Sequence, residues 1–124
     1  MPLRIYIVED NVVIRDNLAA TLIELAGAVI CGSANGEALA NSWLNEHPAD
    51  WDLLIVDIFL KQGNGLGVIT SNRKRSSAQK LVVLTNYASP EIRAQCLKLG
   101  ADAVFDKSHD IENLVTFCLE QSGT

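Results

Sequence analysis

The sequence predicts one α/β domain, in which a five-stranded parallel sheet carries helices on both faces. Short apolar runs rich in Val, Ile and Leu recur along the chain without polar alternation, as in strands that are buried on both faces. Amphipathic segments separate these runs, and such strict alternation implies right-handed crossovers between parallel strands. The length of 124 residues suits a single domain with a substantial core.

Five apolar runs, each bounded by polar or turn residues, are the predicted strands. The third is the clearest, because its apolar residues lead directly into a carboxylate and a glycine-containing loop. In chain order the predicted strands comprise Leu3–Val8, Val29–Cys31, Leu53–Val56, Leu81–Leu84 and Ala103–Phe105.

Apolar residues at helical spacing predict a helix after each strand. We expect the second helix to run to about Glu46 and the third to extend from about Leu66 to Arg75. The residues predicted to face inward are, in chain order, Ile14, Leu18, Leu22 and Leu25; Leu39 and Trp43; Leu66 and Ile69; Ile92, Cys96 and Leu99; Ile111, Leu114, Val115, Cys118 and Leu119.

Residues with short polar side chains mark the starts of several predicted helices, and glycines mark the ends of two. A side-chain oxygen before a helix accepts a hydrogen bond from a free amide of its first turn, and a glycine after a helix adopts the backbone conformation that ends it. The candidate caps before the first, second and fourth helices are Asp10 or Asn11, Asn35 and Ser89. The glycines that end the first and fourth helices are Gly27 and Gly100.

The natural strand order for a chain of this size is 2-1-3-4-5, the flavodoxin-like arrangement. Residues 1–124 then form one domain with (βα)5 topology. Strands one and three flank the point where the strand order reverses, and α/β sheets bind their ligands beside that point, outside the carboxyl ends of the strands.

Composition and charge disfavour several classes of function. The net charge is −5, whereas a general nucleic-acid surface is basic, so direct nucleic-acid binding by this chain is not expected. The three cysteines show no metal-ligand spacing and are typical of small buried residues in a reducing compartment. No stretch is apolar enough for a signal peptide or a membrane span, so we expect a cytoplasmic protein without a membrane partner.

Polar residues close four of the five predicted strands. Glu9 and Asp10 follow the first strand, Asp57 the third, Thr85 the fourth and Lys107 the fifth. Because the carboxyl ends of parallel strands lie along one edge of the sheet, we expect the carboxylates to meet in one crevice, with the threonine and the lysine beside it. Any one of these residues could be a helix cap or a surface charge, but together they form a candidate site.

Three ionised carboxylates in one crevice repel each other unless a cation enters, and Mg²⁺ is the hard cation that best fits few carboxylates and several waters. A metal ion and a lysine together neutralise the oxygens of a phosphoryl group, and a threonine hydroxyl can donate a hydrogen bond to another. No serine, cysteine or histidine lies at these strand ends. A carboxylate can attack phosphorus and form an aspartyl phosphate, and Asp57 is the central candidate.

Six short motifs in this order resemble those of the receiver domain of bacterial two-component response regulators. They are I-V-E-D at 7–10, L-I-V-D at 54–57, N-G at 64–65, L-T at 84–85, L-G-A-D at 99–102 and D-K at 106–107. The resemblance covers essentially the whole chain. It implies a phosphoacceptor domain that receives its phosphoryl group from a histidine kinase or a phosphotransfer protein and helps to catalyse its own phosphorylation and dephosphorylation.

The same resemblance implies a role for each residue of the candidate site. Asp57 is expected to be the phosphoacceptor, Thr85 the switch hydroxyl and Lys107 the lysine that contacts the phosphoryl group. The implied ligands of Mg²⁺ are Glu9, Asp10, Asp57 and the backbone carbonyl of Phe59. Phosphorylation in the family rearranges the surface formed by helix 4, strand 5 and helix 5, through which we expect control of a downstream protein and possible pairing of two copies.

Several positions depart from the pattern that is usual in the family. Lys61 stands where a proline is common and leaves that loop less rigid. Asn86 stands where Ala, Gly or Ser is usual, and we expect the larger side chain to narrow access to the phosphoryl group. Val104 stands where an aromatic switch residue is usual, and Phe105 follows it, so either is a candidate for that role. Ser108 replaces the proline that often forms a cis peptide after the lysine.

Phe59 and Tyr87 occupy two positions that modulate dephosphorylation in the family. Rings at these positions would screen an acyl phosphate from water, so we expect a slowly decaying phosphoform.

Two other classes of protein share part of this pattern. A haloacid-dehalogenase-like phosphatase also forms an aspartyl phosphate, but it carries a second aspartate two residues later, where this chain has Phe59. A flavin-binding module would need a phosphate loop after the first strand, where Glu9 and Asp10 would repel phosphate. A phosphatase-like enzyme that forms an aspartyl phosphate is the alternative to a phosphoacceptor domain. We expect either a stand-alone receiver or the isolated receiver of a larger regulator.

Overall fold

The computed structural model describes residues 2–122. These residues form five strands and five helices that alternate along the chain. The strands are β1 (Arg4–Val8), β2 (Val29–Ala34), β3 (Leu53–Val56), β4 (Lys80–Thr85) and β5 (Ala103–Asp106). The helices are α1 (Val12–Ala26), α2 (Glu37–Glu46), α3 (Gly65–Ser71), α4 (Pro90–Leu99) and α5 (Ile111–Gln121).

All strand pairs are parallel, and the strand order is β2-β1-β3-β4-β5, which confirms the predicted flavodoxin-like topology. In the central pair, Val8 at the end of β1 lies opposite Val56 at the end of β3. The carboxyl ends of these two strands are therefore level, and the residues that follow them emerge side by side.

Side chains on the two faces of the sheet form two separate apolar clusters. Alternate residues of each strand enter each cluster, as the twofold side-chain period of a strand requires. The cluster beneath α2, α3 and α4 includes Val56, Val83 and Val104, and the cluster beneath α1 and α5 includes Ile55 and Leu84. Both faces are covered, which is why the strands read as continuous apolar runs.

Local chemistry explains several helix ends. Asn11, rather than Asp10, caps α1 by accepting a hydrogen bond from the amide of Ile14, and Gly27 ends the helix with a φ of 63°. Ser89 caps α4, and Gly100 follows its last residue, as the sequence predicted.

Three other boundaries were predicted wrongly. Gly36, not Asn35, precedes α2, and its backbone makes the transition without a side-chain cap. Helix α3 ends at Ser71 rather than near Arg75, and β2 continues to Ala34 because its last residues pair with β1. Pairing with a neighbouring strand thus extended a strand beyond its apolar run.

Three residues predicted to face inward are exposed instead, namely Leu25, Leu39 and Leu119. In α1 the inward positions continue from Leu22 to Ala26, so Leu25 points to the side. In α2 the inward positions are Ala40 and Leu44, and Leu39, one position before Ala40, is 61% exposed. One helical residue turns the side chain by about 100°, which is enough to exchange a buried position for an exposed one.

No helix within residues 2–122 is both long enough and apolar enough to cross a lipid bilayer.

Candidate functional site

Hydrogen bonds like those of the sheet hold the backbone of Glu9 and Asp57, the acidic residues that directly follow β1 and β3. The amide of Asp57 donates to the carbonyl of Val8 at 3.0 Å, and the amide of Glu9 donates to the carbonyl of Ala34 at 3.0 Å. Strand pairing therefore continues one residue past β1 and β3 and fixes the backbone from which these carboxylates project.

Carboxylate oxygens of Glu9, Asp10 and Asp57 lie within 4.8 Å of one another. Glu9 and Asp57 are buried, with 3% and 7% exposure, and Asp10 is half-buried. Carboxylate oxygens in this arrangement are the hard ligands that Mg²⁺ and Ca²⁺ prefer. The donor set of the cluster therefore fits a hard divalent cation, and these residues could hold one.

Backbone amides of the following loops orient each carboxylate. The amide of Asn11 donates to Glu9 Oε2 at 3.1 Å. The amide of Phe59 donates to Asp57 Oδ1 at 3.2 Å, so one oxygen of that carboxylate is held by its own loop.

The third carboxylate is held from further along the same loop, where the amide of Lys61 donates to Asp10 Oδ2 at 2.7 Å. The β3–α3 loop, residues 57–64, thus contributes a carboxylate to the cluster and positions another.

Lys107 bridges the two buried carboxylates. Its Nζ lies 2.8 Å from Asp57 Oδ2 and also donates to Glu9 Oε1. Burial alone would lower the pKa of Lys107, but the hydrogen bonds to Asp57 and Glu9 outweigh that effect and raise the pKa above its usual value. The ammonium group is therefore charged and offsets part of the negative charge of the cluster.

Thr85 ends β4 beside this cluster and is fully buried. Its carbonyl accepts a hydrogen bond from the amide of Lys107 at 3.0 Å, which links the fourth and fifth strand ends. Its hydroxyl oxygen accepts from the amide of Tyr87 at 3.3 Å, and the hydroxyl proton can be donated elsewhere. The structure thus brings four of the five predicted polar residues together through their side chains, namely Glu9, Asp10, Asp57 and Lys107. The fifth, Thr85, is joined to Lys107 through the backbone.

Two aromatic residues, Phe59 and Tyr87, follow Asp57 and Thr85 by two positions each, and their amides bond the side chains of those residues. The rings of Phe59 and Tyr87 meet edge to face, with centroids 4.9 Å apart and an interplanar angle of 73°. Both remain exposed, at 49% and 64%, and Asn86 beside them is also exposed. These side chains come from the loops after β3 and β4, so the pair links the loop that follows Asp57 to the loop that follows Thr85.

The two candidate switch residues lie on opposite faces of β5. Val104 is buried beneath α4, on the face that also carries Val83 of β4. Phe105 packs on the other face, where its ring meets that of Phe117 with centroids 5.9 Å apart. Val83 and Thr85 are two residues apart on β4, so their side chains lie on the same face of the sheet. The ring of Phe105 lies on the other face and is separated from Thr85 by the sheet.

Arg93 of α4 makes a contact on this side of the sheet that the sequence did not indicate. Its guanidinium donates to the carbonyl of Val104 at 2.8 Å, to the carbonyl of Ala88 at 3.0 Å and to Asp110 Oδ2 at 3.4 Å. One side chain thus connects the β4–α4 loop, β5 and the start of α5. An arginine at an ordinary helix position gave no sequence signal for this role.

Gly65 permits the close approach of α3 to the end of β3. A Cβ atom at this position would lie 2.3 Å from the carbonyl oxygen of Asp57 and 2.5 Å from the Cα of Ile58. The Asn64-Gly65 pair combines this contact with a cap, because Asn64 Oδ1 accepts from the amide of Leu66 at 2.8 Å. No peptide bond within residues 2–122 is cis, including the one between Lys107 and Ser108.

Comparisons with known proteins agree with this geometry. The family model described as the response regulator receiver domain matches residues 5–118. A probable transcriptional regulatory protein of Picosynechococcus sp. is 34% identical over 119 residues, which cover 93% of this chain and 47% of that protein. The chain spans about half the length of the curated relatives it matches.

Solved structures share the fold. The signal receiver domain of the putative response regulator NarL from Mycobacterium tuberculosis superposes with a TM-score of 0.82 at 22% identity, covering 99% of this chain and 98% of that one. A response regulator protein from Burkholderia pseudomallei, solved with a phosphorylated aspartic acid, a calcium ion and citrate, superposes with a TM-score of 0.76 at 25% identity and covers 98% of this chain and 71% of that one.

Proposed function

This chain belongs to the response regulator receiver domain family, and we propose that it is a phosphoacceptor domain that carries its phosphoryl group on Asp57. The observation that carries the proposal is that Asp57 lies 2.8 Å from Lys107 Nζ and within 4.8 Å of the carboxylates of Glu9 and Asp10. The donor would be the phosphohistidine of a histidine kinase or a phosphotransfer protein in the cytoplasm.

In the transfer step, a carboxylate oxygen of Asp57 forms a bond to phosphorus as the phosphorus–nitrogen bond of the donor breaks. The electron pair of that bond returns to the imidazole, which takes a proton from solvent. Lys107 holds its charge close to the transferring group, and the proton of the Thr85 hydroxyl is available to a phosphoryl oxygen. These contacts would let the domain assist its own phosphorylation.

The acidic cluster supports a requirement for Mg²⁺. Glu9, Asp10, Asp57 and the backbone carbonyl of Phe59 would hold the ion, and the ion would supply positive charge against the phosphoryl oxygens. The phosphorylated aspartic acid and calcium ion of the Burkholderia pseudomallei protein support a site of this kind in the family.

The output would be a change of the surface formed by α4, β5 and α5. Val104 gives Thr85 no aromatic partner on its side of the sheet, so the switch must use other contacts, and the hydrogen bonds of Arg93 to Val104, Ala88 and Asp110 span this surface. A downstream protein or a second copy of the chain would bind there. The matched relatives include transcriptional regulators, and the partner of this chain would act in a comparable pathway.

Intact mass spectrometry tests the proposal. The protein is incubated with Mg²⁺ and acetyl phosphate, with Asp57→Asn and EDTA samples alongside and with Asp16→Asn as the matched control at an exposed aspartate. We expect one added phosphoryl group in the wild type and in the control, and none with Asp57→Asn or EDTA. An adduct that persists in Asp57→Asn would contradict the assignment of the phosphoacceptor.

The decay of the phosphoform tests the role of the two rings. The rings of Phe59 and Tyr87 meet next to Asp57 and Thr85, so truncating either to alanine should admit water and shorten the lifetime of the acyl phosphate. The measurement is loss of the phosphoryl mass with time after removal of the donor. Equal lifetimes in the wild type, Phe59→Ala and Tyr87→Ala would show that the rings do not screen the site.

A further inference from the structure

The side chain of Glu37, at the start of α2, contacts the loop that carries the candidate site. Its Oε1 accepts a hydrogen bond from the amide of Asn64 at 2.8 Å. Its own amide donates to the carbonyl of Gln62 at 3.1 Å. One residue from a different part of the chain thus holds the β3–α3 loop at two points, two residues apart.

Two glycines make room for this side chain. A Cβ atom at Gly63 would lie 2.5 Å from Glu37 Cβ, and one at Gly67 would lie 2.1 Å from Glu37 Oε2. Both distances are shorter than a van der Waals contact allows. The carboxylate of Glu37 therefore occupies a space that exists because these two positions lack side chains, and Gly63 has in addition a φ of 79°.

The loop segment that Glu37 holds is continuous with the one that positions the acidic cluster. The amide of Lys61, next to Gln62, donates to Asp10 Oδ2 at 2.7 Å. Phe59, whose carbonyl is an implied metal ligand, lies two residues before Lys61. Residues 61–64 are all exposed, so packing contributes little to the order of this segment.

We propose that Glu37 is a positioning residue for the metal site, because it holds the β3–α3 loop, in which the Lys61 amide bonds Asp10 and the Phe59 carbonyl is the implied metal ligand. This inference rests on the proposed function, since it assumes that the cluster binds Mg²⁺. Glu37 is not one of the three carboxylates of the cluster, and its hydrogen bonds to the loop are to Gln62 and Asn64, so it acts through the loop.

The test is a calorimetric titration of the full chain with Mg²⁺, combined with amide hydrogen exchange of the metal-free protein. The variants are Glu37→Ala, Glu37→Gln and Gly67→Ala, with Glu46→Ala at the exposed end of the same helix as the control. Losing a hydrogen bond that orders the loop should weaken Mg²⁺ binding by about threefold to tenfold in Glu37→Ala. Glutamine keeps an oxygen for the Asn64 amide and should retain most of the affinity.

Gly67→Ala separates positioning from folding. Its methyl group displaces the Glu37 carboxylate but raises the helix propensity of α3, so the unfolding midpoint should not fall while Mg²⁺ binding weakens. The double variant Glu37→Ala/Gly67→Ala should bind Mg²⁺ no more weakly than Glu37→Ala, because both changes remove the same contact. Exchange at the amides of Lys61 and Asn64 should be faster in Glu37→Ala than in the wild type.

The outcomes distinguish the two proposals. A wild-type protein that does not bind Mg²⁺ would refute the metal site of the proposed function and this inference with it. Wild-type binding with unchanged affinity in both Glu37→Ala and Gly67→Ala, or unchanged exchange at Lys61 and Asn64, would overturn the inference and leave the proposed function intact.

Discussion

Replacing Lys107 with methionine removes the positive charge that the two buried carboxylates share and keeps most of the volume of the side chain. Lys107 Nζ contacts both Glu9 and Asp57, and the three side chains are 11%, 4% and 9% exposed. With so little access to water, the carboxylates of the variant would face each other without a counter-charge. We therefore expect the metal-free variant to be markedly less stable than the wild type.

The magnitude follows from the burial and the remaining hydrogen bonds. Removing one partner of a buried ion pair costs about 3–5 kcal/mol. Each carboxylate keeps one backbone donor, from Asn11 for Glu9 and from Phe59 for Asp57, so the lower end of that range applies. We expect the free energy of unfolding to fall by about 3 kcal/mol, which corresponds to a decrease of about 10 °C in Tm for a domain of this size.

Urea-induced unfolding at pH 7, followed by circular dichroism in EDTA and then in Mg²⁺, measures this effect. Mg²⁺ should stabilise Lys107→Met more than the wild type, because in the variant the ion supplies charge that the lysine no longer provides. Lys74→Met removes an exposed charge outside the site and should change stability by less than about 0.5 kcal/mol. If the two variants lost similar stability in EDTA, the argument that Lys107 offsets buried charge would be refuted.

Three further measurements test other features of the structure. Gly65→Ala should lower the free energy of unfolding by about 1–3 kcal/mol, because its Cβ would lie 2.3 Å from the carbonyl oxygen of Asp57; a wild-type denaturation midpoint would contradict this. The hydrogen bond from Arg4 lowers the pKa of Asp52 below 3.8 in the folded protein. The ionised Asp52 therefore stabilises the fold fully above about pH 3.8, and this contribution is lost as the pH falls through the lowered pKa of the folded state. Asp52→Asn should thus flatten the dependence of the free energy of unfolding on pH below about pH 4, and denaturant titrations that show the same pH dependence as the wild type would contradict this. Burial raises the pKa of Cys118 to about 11, so iodoacetamide at pH 8 should modify Cys118 only when urea unfolds the protein. Labelling of Cys118 in the native protein would show that its thiol is accessible.

Local residue chemistry in the sequence determined the order of the elements, the topology and the polar strand ends. An uninterrupted apolar strand leading into Asp57 can be recognised without coordinates, because the strand must be buried and the carboxylate must leave it at the rim. Ser89 and Gly100 marked the ends of α4 correctly, since capping depends on a few consecutive residues. Parallel pairing then required the strand-end residues to share one edge of the sheet.

Only the tertiary structure decided which distant residues complete the site. Glu37 reads as an ordinary acid in the first turn of a helix, yet its partner Asn64 is 27 residues away. Phe105 follows the family's usual aromatic position by one residue, and that single step places its ring on the opposite face of the sheet from Val104. Periodicity along the chain carries the direction of each side chain relative to its own element, but not the distance between elements. That distance is set by how helices and loops pack across the sheet, and it determines whether a carboxylate is a surface charge or part of a site.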